Sequence, residues 1–204
     1  MPKDTFYNLP AQKQQTLLEA LKKEFSRASL FEASIANIVK LAGIPRGSFY
    51  QYFADKEDAY FFLLDTVAKH LKQTFASMLK AHEGDLFAAL LAFYQFIIQQ
   101  EENANFLRNV FLNMTHKVEK TFANVISDND RSERRAITPL IDTEKLNISN
   151  DEELFHVMRI VSSVTFRNFV EKFARGLSCD EAINDYEQEI DLLKKGLSSR
   201  STKR

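Results

Sequence analysis

The chain has 204 residues, 45% of them hydrophobic and 27% charged, and a formal net charge of -1. That size and balance bury a core without disulfides or metals, and they exclude default disorder as well as a nucleic-acid affinity resting on bulk positive charge. Five Gly and four Pro leave too few turn signals for an all-β architecture, so the expected fold is all-α.

The first predicted helix begins near Asn8 or Pro10 and lines one face with Leu17, Leu18, Leu21 and Phe25. After a connection over 26–33, Ser34 stands as the capping residue of a short second helix, which packs through Ile35, Ile38 and Val39. Gly43 occupies the place where a helix commonly ends in a left-handed residue, and Pro45 restarts the chain with its dihedral already set for a first turn. In the third helix Phe49 and Phe53 lie four apart and face inward, which turns Arg46, Ser48, Tyr50, Gln51 and Tyr52 outward to varying degrees. This is a helix-turn-helix between Ser34 and Phe53. Asp55 then caps a long fourth helix whose first turn holds Glu57 and Asp58, where the helix dipole favours acids. Lys56 sits there against that preference, either as a solvated lysine or as a cation for an external phosphate.

Past residue 80 the segment AHEGD ends the fourth helix, and helices are predicted near 86–100, 103–125, 131–142, 151–175 and 179–196, about nine in total. The stretch 198–204 is expected to be a disordered basic tail. A single cysteine, Cys179, forms neither an internal disulfide nor a multi-thiolate zinc site, and no window approaches the ~20 apolar residues that span a bilayer. A cytoplasmic protein with no membrane partner, no metal and no cofactor is expected.

The string SIANIVKLAGIPRGSFYQYFADKEDAYFFLL resembles the DNA-binding signature of TetR/AcrR-type transcriptional regulators, and the likeness covers about residues 10–65. It takes in the glycine turn, the R-G-S-F-Y-Q-Y-F core of the recognition helix and the D-K-E-D entry into the next one. The resemblance implies an N-terminal three-helix DNA-binding head over 1–54 and a C-terminal helical effector-binding and dimerisation domain over 55–197. It also implies a homodimer, a repressor in its usual form, whose two recognition helices enter successive major grooves of pseudo-palindromic operator DNA. Arg46 stands where lysine is frequent in the family and Gln51 where histidine is frequent.

On DNA, Arg46 would fork onto guanine O6 and N7, and Gly47 would let the helix end approach closely. Tyr50 and Gln51, one turn on, would meet a thymine methyl, an adenine edge or a phosphate. Ser34, Ser48, Tyr52 and Lys56 would hold phosphates and fix register, with Pro45 opening the helix between them. Residues 1–60 carry eight Lys or Arg against seven Asp or Glu, so affinity must come from placed groups doubled by symmetry.

The chain has 18 Phe and no Trp. A repressor's cavity lined by Phe93, Phe96, Phe111, Phe122 and Phe166 would suit a small apolar or aromatic effector, oriented by Arg108, Asn113, His116 and Arg159. Phe155, Met158, Phe169, Phe173, Ile183, Ile190 and Leu193 form apolar rows that serve equally as a dimer interface or as internal core; the resemblance favours the interface. Effector binding is expected to reposition the fourth helix, which leaves the head and enters the effector region. Against an enzyme, Glu153 and His156 form one Glu-x-x-His pair with no second copy, and no phosphate loop or nucleophile elbow is present. A helical adaptor that binds protein or membrane is the rival reading, and it leaves Gly43, Pro45 and the outward Arg46, Tyr50 and Gln51 unexplained.

Overall fold

Apolar side chains recurring every three or four residues, with few breakers between them, wind this chain into helices. A computed structural model describes residues 2–126 and 136–197, and among these there are ten α-helices and no strand. They are α1 (Asp4–Tyr7), α2 (Ala11–Arg27), α3 (Ile35–Ala42), α4 (Arg46–Tyr52), α5 (Lys56–Ala81), α6 (Leu86–Gln99), α7 (Glu101–Leu112), α8 (His116–Ile126), α9 (Asp151–Arg175) and α10 (Cys179–Leu197). No helix among the described residues is long and apolar enough to cross a membrane.

Three expectations change. The chain has a four-residue α1 ahead of Pro10, too short to show a periodicity. The single helix expected over 103–125 is two, because the Thr115 hydroxyl accepts the Val118 N–H at 3.4 Å and starts α8 afresh, while Asn113 turns its amide back onto the Asn109 carbonyl at 2.8 Å. The described part of the expected helix at 131–142 holds a 3-10 turn over 138–140 instead, around Pro139, which lacks an N–H and restricts the residue before it. The remainder of that helix and the tail at 198–204 lie outside the described residues.

The chain divides into two compact units, Met1–Val67 with Glu101–Met114, and Ala68–Gln100 with Thr115–Arg204. The first therefore extends beyond the boundary expected at residue 54, taking in the start of α5 and all of α7. Its core is Leu17, Leu21, Phe25, Ile38, Phe49, Phe53 and Tyr60. Tyr60 packs edge-on against Phe25 at 5.1 Å, and burial pushes its hydroxyl up to about 12. The Asn109 amide of α7 donates to the Phe25 and Ser26 carbonyls, both at 3.0 Å, and so satisfies two carbonyls in the last turn of α2.

In the second unit Tyr94 of α6 lies 4.2 Å from the Tyr186 ring of α10 and 4.9 Å from Phe169 of α9. The Tyr186 hydroxyl is paired with the Thr165 hydroxyl at 2.7 Å, and burial raises both the Tyr94 and Tyr186 hydroxyls well above the usual tyrosine range. At the end of α5, Gly84 adopts φ 75°, and a Cβ on it would come within 2.7 Å of the Asp142 nitrogen. The Asp142 N–H donates to the Gly84 carbonyl at 3.0 Å, so only glycine lets the 137–146 segment close on this turn.

Candidate nucleic-acid interface

The turn between α3 and α4 is set by its backbone. Gly43 holds φ 64° and ψ 31°, its N–H reaches the Lys40 carbonyl at 3.3 Å, and the Ile44 N–H reaches the Val39 carbonyl at 3.0 Å. Pro45, at φ -60° and ψ 147°, stands one residue outside α4 in the N-cap position and not in its first turn. Phe49 and Phe53 are fully buried, and Phe49 lies 5.4 Å from Phe53.

With those rings inward, Arg46, Gly47, Tyr50 and Gln51 are exposed on the opposite face of α4, and Ser48 and Tyr52 are half-buried at its edges. The exposed set combines a guanidinium, an amide and a phenol, groups able to donate to base edges and phosphates. Apart from its chain neighbours and the backbone of its own helix, no atom among the described residues lies within 4 Å of a Cβ placed on Gly47, so packing does not require a glycine there.

Ser34 does not cap α3 with its side chain. The cap is Glu24, whose carboxylate accepts the Ser34 backbone N–H at 2.7 Å from the preceding helix. Arg27 forks onto the same carboxylate at 2.6 and 3.0 Å, and the Asn37 amide donates to it at 3.3 Å. The Arg27 bonds, helped by those from Ser34 and Asn37, hold the Glu24 carboxyl below the usual carboxylate range although it is only 2% exposed. Sequence reading missed Glu24. The signal was there, since a charged residue follows Leu17 and Leu21 at the next inward position of the same helical stripe.

Lys56 is also engaged within the head. Its ammonium donates to the Phe31 and Ala33 carbonyls at 2.9 and 2.8 Å, closing the loop that leads into α3. Two of its three protons are thereby used inside the protein.

The nine effector candidates divide between the units. Arg108, Phe111 and Asn113 belong to the first, and Phe93, Phe96, His116, Phe122, Arg159 and Phe166 to the second. Phe93, Phe111 and Phe122 are buried, Phe96 and Phe166 half-buried, and Arg108, Asn113, His116 and Arg159 exposed. The Arg159 guanidinium lies over the Phe155 ring, 5.8 Å from its centroid. A cavity of about 430 Å3 in the second unit is lined by none of the nine. Its walls include Tyr94, Arg167, Asn168, Glu171 and Glu189, and two pairs of its polar groups are bonded to each other: Asn168 donates to Glu189 at 2.6 Å and Arg167 to Glu171.

The expected dimer rows separate into two classes. Met158, Phe169 and Ile190 are 4%, 4% and 0% exposed, so they fill the chain's own core and have no surface to offer a partner. Phe155 is 46% exposed, Phe173, Ile183 and Leu193 are half-buried, and Ile160 and Leu192, which the sequence reading left out, are 44% and 67% exposed.

Residues 17–59 match the family model for bacterial regulatory proteins of the tetR family, and residues 85–197 match that for the tetracyclin repressor-like C-terminal domain. No curated protein matches the chain. Among solved structures, the fold is similar to SmeT, the repressor of the Stenotrophomonas maltophilia multidrug efflux pump SmeDEF, at TM-score 0.68 and 16% identity over 92% of this chain and 91% of that one. It is also similar to a TetR-family regulator of Mesorhizobium loti, at TM-score 0.65 and 12% identity over 93% and 98% of the two chains. The Bacillus subtilis regulator FadR, solved with stearoyl-CoA, aligns at TM-score 0.63 and 12% identity over 89% and 98%. At these identities the likeness is one of fold. The two family models together cover the reading head and the larger part of the chain, and the chain belongs to the TetR family of bacterial transcriptional regulators, DNA-binding proteins that are not enzymes.

Proposed function

We propose that the protein is a dimeric repressor that reads a pseudo-palindromic operator through α4 of each subunit and leaves it when a small apolar or aromatic effector binds. The observation that carries the reading is the sidedness of α4: Phe49 is fully buried while Arg46, Gly47, Tyr50 and Gln51 are exposed. Arg46 reads a guanine, and Tyr50 and Gln51 extend the readout by one turn. Ser34, Ser48 and Tyr52 hold phosphates beside Pro45, and Lys56 contributes by shaping the loop before α3.

Dimerisation through α9 and α10 is the reading that the exposed Phe155, Ile160 and Leu192 support, flanked by Phe173, Ile183 and Leu193. An apolar effector fits the phenylalanine-rich second unit, where Phe96 and Phe166 are the partly reachable rings and Arg159 and His116 the polar groups that orient it. Because α5 has residues in both units, an effector that favours one placement of α5 shifts the spacing of the two heads. Recovering bound duplexes from random-sequence DNA tests the proposal. An inverted repeat with centres about one helical turn apart is expected, and recovery of unrelated sequences contradicts it.

A further inference from the structure

The seven-residue α4 is too short to hold itself together, and the carbonyls of its last three residues have no partner further along the helix. All three are taken by the N-terminal segment. The Phe49 carbonyl accepts the Phe53 N–H at 2.9 Å, which ends the helix's own bonding. The Tyr50 carbonyl accepts the Lys3 ammonium at 2.8 Å, the Gln51 carbonyl accepts the Thr5 hydroxyl, and the Tyr52 carbonyl accepts the Lys3 backbone N–H at 2.8 Å. The segment is anchored by Phe6, 1% exposed, whose ring lies 5.6 Å from Phe53 and 5.0 Å from Phe62. Pro2 is buried as well. The Lys3 charge sits at the negative end of the α4 dipole, where a cation is favoured.

We propose that residues 2–7 are a clamp on the recognition helix, in which Lys3 and Thr5 are positioning residues for DNA reading. They fix the turn that carries Tyr50 and Gln51 and touch no base themselves. Without the clamp that turn frays, and the two side chains enter the groove only after being ordered at the moment of binding. The inference rests on the reading of α4 as the recognition helix.

The test uses full-length Thr5→Val, which removes one bond without changing charge, Lys3→Met, and Lys3→Arg, which keeps a cationic donor. In the absence of DNA, the amides of residues 50–53 should exchange about ten-fold faster in Thr5→Val and Lys3→Met, with α2 and α3 unaltered. On the duplex that the wild type recovers from random DNA, both variants should bind about ten-fold more weakly, with binding to scrambled duplex and the salt slope unchanged, and Lys3→Arg should restore most of the loss. Unaltered exchange overturns the clamp. A loss equal on both duplexes, with a shallower salt slope for Lys3→Met, overturns it in favour of Lys3 as a phosphate contact. A wild type that selects no sequence overturns the DNA reading itself, and the exchange measurement then judges the clamp alone.

Discussion

The Glu24 carboxylate accepts the Ser34 backbone N–H at 2.7 Å, so the amino-terminal end of α3 is capped by a side chain of α2. Glu24→Ala leaves that amide, the Asn37 side chain and Arg27 without their acceptor and should cost about 2–3 kcal/mol in urea unfolding. Glu24→Gln retains an acceptor and should cost less. The folded carboxyl lies below its ordinary value of 4.5, so its contribution is complete above that value and is lost as pH falls through the folded one. Between about pH 6 and about pH 3 the wild type should therefore lose more stability than Glu24→Gln. Equal losses would mean that the carboxylate is not the stabilising species.

Lys56 separates two roles for one cation. With its ammonium on the Phe31 and Ala33 carbonyls, Lys56→Met should lower stability by about 1–2 kcal/mol. The slope of operator affinity against salt should stay as in the wild type. A slope shallower by about one unit, with stability unchanged, would instead assign the ammonium to a phosphate.

Gly47 lies inside α4 with open space where its Cβ would be. Gly47→Ala should therefore leave the folded protein intact and raise its stability by up to about 1 kcal/mol, the usual gain of alanine over glycine in a helix. Operator binding should weaken nonetheless, because the added methyl stands between the helix and the groove. Melting curves and operator titrations on the same preparation report both effects, and undiminished binding removes the close-approach role.

The two classes of apolar residue on α9 and α10 predict different failures. Leu192→Lys, at a position 67% exposed, should yield a folded monomer in light scattering. Met158→Ala, at 4% exposure, should leave the dimer but lower stability by about 2–5 kcal/mol. A stable dimer of Leu192→Lys would place the interface elsewhere.

The legible part of this fold was local. Gly43, Pro45, Phe49, Phe53 and Asp55 each carry a backbone or packing constraint that acts within a few residues, so the helix-turn-helix could be read from spacing. The illegible part needed partners distant in sequence. Nothing near Glu24 says that its acceptor will meet Ser34 and Asn37, and nothing near Lys3 or Thr5 says that they will meet carbonyls more than forty residues away. Lys56 looked like a phosphate ligand because its charge was visible and the Phe31 and Ala33 carbonyls facing it were not. On α9 and α10 the apolar rows run round more than one side, and hydropathy cannot say that Met158 and Ile190 face inward while Phe155 and Leu192 face out.

The most direct test of α4 as the reading element is the affinity of Arg46→Ala for the selected operator and for versions changed one base pair at a time. A loss of about 1–3 kcal/mol per half-site, with discrimination relaxed at one guanine position in each half, is the predicted result. Wild-type affinity together with a wild-type base preference would contradict it.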